Sequence, residues 1–113
     1  MSAITTHVLD TARGRPAAGV PITLDIDEGG SWRRLGQGAT DGDGRLRDLL
    51  PAGQRAAPAV YKISFDTATY FAAQGVDGFY PVVEVVFRLS RPDEHHHVPL
   101  LLSPFGFSTY RGS

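Results

Sequence analysis

Four histidines are the residues of this 113-residue sequence best suited to chemistry near neutral pH: His7 and the run His95-His96-His97. Imidazole titrates close to neutrality, so it can take or give a proton where ordinary carboxylates and amines cannot. In a strand, residues two apart share a face. His95 and His97 therefore fall with Pro99 and Leu101, opposite the apolar set Val98, Leu100 and Leu102. By the same spacing His7 falls with Thr5 and Leu9, opposite Ile4 and Val8. His7 and His97 both point away from the core, either as plain surface residues or as members of a site built on that outer face. Three histidines in a row could also suggest a metal. Alternation lets at most two of them converge, and neither an HExxH helix nor a spaced third ligand accompanies them, so no metal site is expected. Asp41-Gly42-Asp43-Gly44 looks like the start of a calcium loop, but the remaining oxygen ligands and the closing Glu are missing. A tight turn is the expectation there.

The C-terminal residues Tyr110-Arg111-Gly112-Ser113 bring a phenol, a guanidinium and a hydroxyl close together. They read either as a plain edge strand or as a tail packed into a site. Other chemistries are excluded. Without Cys there is no thiolate nucleophile, disulfide scaffold or Cys-based zinc site. GxSxG, P-loop and GxGxxG motifs are absent, and no carboxylate pair is placed for glycosidase work.

The elements that must position these residues are short strands. Thirteen Gly and eight Pro are spread along the chain, as suits strands joined by turns. Strands are expected at Ile4–Leu9, at Val20–Asp27, at Ser31–Thr40 across an Asp27-Glu28-Gly29-Gly30 hairpin turn, and near Arg45-Leu46-Arg47. Further strands are expected at Val60–Phe65, at Val82–Leu89 (β-branched, read as a central strand), at His97–Ser103 and at Phe107–Arg111. Asp10 to Pro16 reads as a turn cluster and Pro51 to Pro58 as a loop. Asp66 reads as the N-cap of a helix over Thr67–Gln74, with Gly75 as its C′ residue. Eight strands and one short helix in a single domain over residues 1–113 give an all-β sandwich.

Eleven Lys and Arg against twelve Asp and Glu leave a formal net charge of −1, which argues against a nucleic-acid partner. Ten of the eleven cations are Arg; the exception is Lys62. No apolar stretch approaches the ~20 residues of a membrane helix, and the first residues lack the basic and apolar regions of a signal peptide. A cytoplasmic address without membrane association is expected.

Four segments carry a family resemblance. Thr6-His-Val-Leu-Asp-Thr-Ala-Arg-Gly-Arg-Pro-Ala-Ala-Gly-Val-Pro21 resembles the opening of the 5-hydroxyisourate hydrolases, the transthyretin-like proteins of purine catabolism. Thr40-Asp-Gly-Asp-Gly-Arg45 looks like their second motif, and Phe79-Tyr-Pro-Val-Val-Glu-Val-Val-Phe87 looks like their sixth strand. The segment from His95 through Ser113 is similar to their terminal signature, with Tyr-Arg-Gly-Ser its most specific part because it separates the hydrolases from hormone-carrying transthyretins. The departures are His96, where the family commonly has an aromatic, and Phe105 and Phe107 in place of Tyr.

The resemblance implies a transthyretin-like sandwich of two four-stranded sheets with one short helix. It implies a homotetramer, a dimer of dimers, with a channel lined by outward strand residues. Carried over by position, the catalytic set falls on His7, Arg45 and His97, and the substrate-binding set on Tyr110, Arg111, Gly112 and Ser113. Leu101 and Ser108 have the parity to line the same channel. The implied reaction is addition of water to a ring acyl carbon of 5-hydroxyisourate, opening the six-membered ring, without metal or organic cofactor. In that reading His7 and His97 act together on water. Arg45 holds the oxyanion and the flat ring, and the second His or Tyr110 assists the leaving nitrogen. Ser113 shapes the site and Arg111 anchors the tail. A carrier of small molecules, with the same channel and no turnover, is the alternative, as is a structural sandwich module without a pocket.

Overall fold

The alternation from Val20 to Ile26 becomes a strand whose Ile22 and Leu24 side chains are fully buried, and the alternation from Tyr61 to Phe65 buries Tyr61, Ile63 and Phe65 against them. The computed structural model describes residues 3–51 and 53–113. The signal-peptide reading at the first residues and part of the expected Pro51–Pro58 loop fall on Met1, Ser2 and Ala52, outside the described residues. Among those described, the elements in order are β1 (Ile4–Asp10), β2 (Arg15–Pro16), β3 (Pro21–Asp27), β4 (Trp32–Ala39), β5 (Arg45–Leu46), β6 (Ala59–Phe65), α1 (Thr67–Ala72), β7 (Val83–Leu89), β8 (His96–Ser103) and β9 (Gly106–Thr109). None of these is a helix long and apolar enough to cross a membrane.

Two sheets face each other. One runs β4-β3-β6-β7, all antiparallel. The other runs β2-β1-β8-β9, with β5 also paired to β1. The sandwich is as expected. The long strands and β5 supply four members to each sheet, and β2, inside the expected Asp10–Pro16 turn cluster, adds a two-residue fifth by pairing Leu9 with Pro16. Ile4, Val8, Val98, Leu100 and Leu102 fill the core from one sheet; Ile22, Leu24, Ile63, Phe65, Val83 and Leu89 fill it from the other. Strand β1 lies parallel to β8 over seven residue pairs, Ile4 opposite His96 through Asp10 opposite Leu102.

Three expectations need correction. The β-branched strand β7 is an edge, not a central strand: among the described residues it pairs only with β6, and Val86 on its outer face is 57 % exposed. β-Branched composition reports a pleated, half-covered surface rather than a position in the sheet. The helix is also shorter than Thr67–Gln74. Asp66 caps it by accepting from Thr69 N–H, but regular helix ends at Ala72. The last turn then closes with Val76 N–H on Phe71 O and Gly75 N–H on Ala72 O, Gly75 at φ 67°. That bond pair is a Schellman ending, for which Gly suits the left-handed position. Finally, the last strand stops at Thr109 rather than Arg111. Beyond it the tail returns to β8 only through a bridge between Gly112 and His97.

Candidate active site

The outward face of the β5-β1-β8-β9 sheet collects the predicted site residues. Strand β1 places Thr5, His7 and Leu9 there, and β8 places His97, Pro99 and Leu101 beside them in register: Thr5 opposite His97, His7 opposite Pro99, Leu9 opposite Leu101. Strand β5 sets Arg45 directly opposite His7. Strand β9 sets Ser108 opposite Leu101.

Arg45 owes its place to the preceding turn. The Asp41 carboxylate accepts from the backbone N–H of Asp43 and of Arg45, at 2.9 and 3.0 Å. The Arg45 N–H bond, the largest contribution, holds the Asp41 carboxyl below its ordinary range. Gly44, at φ 76°, then passes so close to β1 that its carbonyl accepts from Val8 N–H at 2.7 Å. The same turn engages His7, whose Nε2 lies 2.9 Å from the Asp43 carbonyl. A carbonyl can only accept, so that nitrogen carries the hydrogen, and neutral His7 keeps its lone pair on Nδ1.

His97 is half-buried, and its ring is held at two edges. Its Nδ1 lies 2.8 Å from Thr5 Oγ1, and Gly112 packs against its Cδ2 so closely that an added Cβ there would come within 2.6 Å. Gly112 N–H also donates to the His97 carbonyl at 2.8 Å. Burial, then the positive charges available to His95, Arg45 and His7, pushes the His97 imidazole below its ordinary value. A buried neutral imidazole at neutral pH is a competent base.

The tail residues divide. Gly112 lies against His97, whereas Tyr110 and Arg111 line a groove with Val85, Val86, His96 and Val98, on the inward side of β8. Arg111 binds Glu94 at 3.0 Å, and this charge-assisted bond holds the Glu94 carboxyl low. Ser113 is exposed. His96 faces away from His97, buried, with Nδ1–H donating to the Glu94 carbonyl.

Sequence reasoning put Thr5 and His95 on the outer face but left both out of the site. Thr5 Oγ1 lies 2.9 Å from His95 Nε2 as well as 2.8 Å from His97 Nδ1. Period-two spacing puts each on the outer face, but only the parallel register of β1 against β8 shows that they meet.

Residues 4–112 match the model of the HIUase/Transthyretin family. The chain is 46 % identical over 114 residues to a 5-hydroxyisourate hydrolase of Mus musculus, covering 99 % of this chain and 96 % of the relative. Its fold is similar to that of the 5-hydroxyisourate hydrolase of Klebsiella pneumoniae, with a TM-score of 0.87, 32 % identity and all of both chains covered. It is equally similar to sea bream transthyretin in complex with thyroxine, with a TM-score of 0.89, 33 % identity, and 97 % of this chain and 94 % of that one covered.

Proposed function

The chain belongs to the HIUase/Transthyretin family, and from that membership we infer that it hydrolyses 5-hydroxyisourate, opening the six-membered ring to 2-oxo-4-hydroxy-4-carboxy-5-ureidoimidazoline in urate degradation. The observation that carries the reading is the set His7, Arg45 and His97 on one outward sheet face, with His97 held neutral. A carrier of apolar ligands calls for apolar walls, so this polar set favours the hydrolase over the carrier.

Water binds between two imidazole lone pairs, His97 Nε2 and His7 Nδ1. His97 takes one proton as the water oxygen attacks the ring acyl carbon. Arg45 supplies a planar, fixed cation to the tetrahedral oxyanion and to the oxygen-rich ring. Collapse of the oxyanion breaks the carbon–nitrogen bond, and the His97 imidazolium returns its proton to the departing nitrogen. Protons balance, and the chemistry calls for no metal or organic cofactor. Leu101 and Ser108 flank the substrate, and the tail closes one side through Gly112, which lies against His97. Arg111 acts by anchoring that tail to Glu94.

The domain spans residues 1–113 and works in the cytoplasm as a homotetramer, a dimer of dimers. The free edge of β7 and its exposed Val86 support strand-edge pairing between copies. In that assembly the outward face bearing His7, Arg45 and His97 walls a channel.

The test is the ultraviolet decay of 5-hydroxyisourate, freshly made by urate oxidase, with wild-type protein and with His97→Ala. Accelerated decay that is largely lost in the variant is the expected result. Decay at the spontaneous rate from a folded tetramer would overturn the hydrolase reading and favour the carrier.

A further inference from the structure

We propose that Thr5 and His95 are positioning residues for His97: a hydrogen-bond relay running His97 Nδ1–H to Thr5 Oγ1, and Thr5 O–H to His95 Nε2, keeps the His97 Nε2 lone pair free for water. The proposal rests on the hydrolase reading only for its catalytic consequence; the relay itself is a statement about hydrogens.

Both distances, 2.8 and 2.9 Å, are hydrogen-bond lengths to one hydroxyl oxygen. A hydroxyl has one hydrogen to give and two lone pairs to accept with. It therefore cannot donate to both imidazoles. In one direction Thr5 accepts from His97 and donates to His95. In the other it accepts from His95 and donates to His97, and His97 then carries its hydrogen on Nε2 and cannot act as a base there. The two directions are told apart by protonation. When His97 takes a proton at Nε2, the imidazolium must also hold one on Nδ1. Only the first direction accommodates that cation without turning the Thr5 hydroxyl, so a base working at Nε2 cycles with the relay undisturbed.

The surroundings reinforce this. Thr5 is 4 % exposed, so water does not compete freely for its hydroxyl. The rings of His95 and His97 lie nearly parallel, with 23° between their planes and centroids 6.2 Å apart. The groups facing His97 are His95 from the loop just before β8, Thr5 and His7 from β1, Arg45 from β5 and Gly112 from the tail. Among the described residues Thr5 supplies the hydrogen bond to Nδ1, while Nε2 has no protein partner.

The experiment reads the tautomer directly, by nitrogen-15 chemical shifts of the histidine side chains in wild type, Thr5→Val, Thr5→Ser and His95→Phe, and follows 5-hydroxyisourate decay in parallel. Expected for wild type above its ionisation is His97 protonated on Nδ1. Thr5→Val, which keeps the shape, gives a tautomer mixture and lowers kcat about tenfold with KM little changed, since general-base action is lost only in the misoriented fraction. Thr5→Ser restores both readouts. His95→Phe, which removes the acceptor of the Thr5 O–H, also gives a tautomer mixture at His97. Wild-type His97 carrying its hydrogen on Nε2, or a Thr5→Val protein with unchanged tautomer and kcat, overturns the relay. A wild-type protein with the expected tautomer but no hydrolysis leaves the relay standing and removes the hydrolase reading instead.

Discussion

His7 and Arg45 stand directly opposite each other across the antiparallel β1–β5 pair, so an imidazole and a guanidinium rise from the same face of one sheet. Opposed side chains in such a pair are near neighbours, with Cβ atoms about 5 Å apart. Both are tied to the Asp41–Gly44 turn, His7 through its ring and Arg45 through its backbone N–H.

Arg45→Ala is expected to lower kcat for 5-hydroxyisourate by about 100-fold, the scale of losing one oxyanion donor. Arg45→Lys recovers only part of this, because an ammonium lacks the planar fork. Steady-state kinetics check both. A KM effect with kcat intact would assign Arg45 to ground-state binding alone.

The pH dependence follows from His97. Its imidazole ionises below the ordinary value of 6.5, chiefly through burial and then through the charges of His95, Arg45 and His7. The base is active when neutral. The acid limb of kcat/KM is therefore expected to fall at a midpoint below 6.5, and Arg45→Gln to move that midpoint upward by removing a positive neighbour. The folded state binds this proton less readily than the unfolded chain. His97 thus contributes no acid sensitivity above 6.5 and costs stability as the pH falls below it. A midpoint above 6.5 would contradict the burial argument.

Gly112→Ala would place a Cβ 2.6 Å from His97 Cδ2 and 3.3 Å from Pro99 Cγ. Either the tail lifts or the ring turns. The expected result is a loss of about tenfold or more in kcat/KM, because a displacement near 1 Å at a reacting group has effects of that order. The melting temperature should barely change, since only a terminal bridge is disturbed.

Gly44→Ala tests the turn behind Arg45. Gly44 has φ 76°, and a Cβ there would collide with the Val8 carbonyl and crowd Pro16. A strained backbone and a clash against a buried strand should cost about 2–3 kcal/mol in urea unfolding. Activity should fall as well, because the same turn carries the Asp43 carbonyl that binds His7. Stability loss without any kinetic effect would show that the turn does not position the site.

Much of this was legible in the sequence. Alternation placed β3 and β6 and their inward faces, and the Gly- and Asp-rich turns bounded β4 and β5, because each signal is local. The outward parity of His7 and His97 followed from the same period. What period two does not encode is which strands are neighbours. The β-branched run in β7 looked central because its composition is that of a covered strand, yet one edge of it is open in the isolated chain. Thr5 looked unremarkable for the same reason: its meaning lies in the register of β1 on β8, and no local pattern carries that.

That register also governs how the molecule is made. Thr5 and His97 are separated by 92 positions in the chain, and the strands holding them pair parallel, which requires closing a very long loop before any contact rewards it. The first strand of the fold must wait for nearly the last. The proton-handling residues His7 and His97 cannot meet until β8 is made, so catalytic competence arrives at the close of folding, and a chain interrupted before β8 would carry His7 and Arg45 but neither His97 nor the tail.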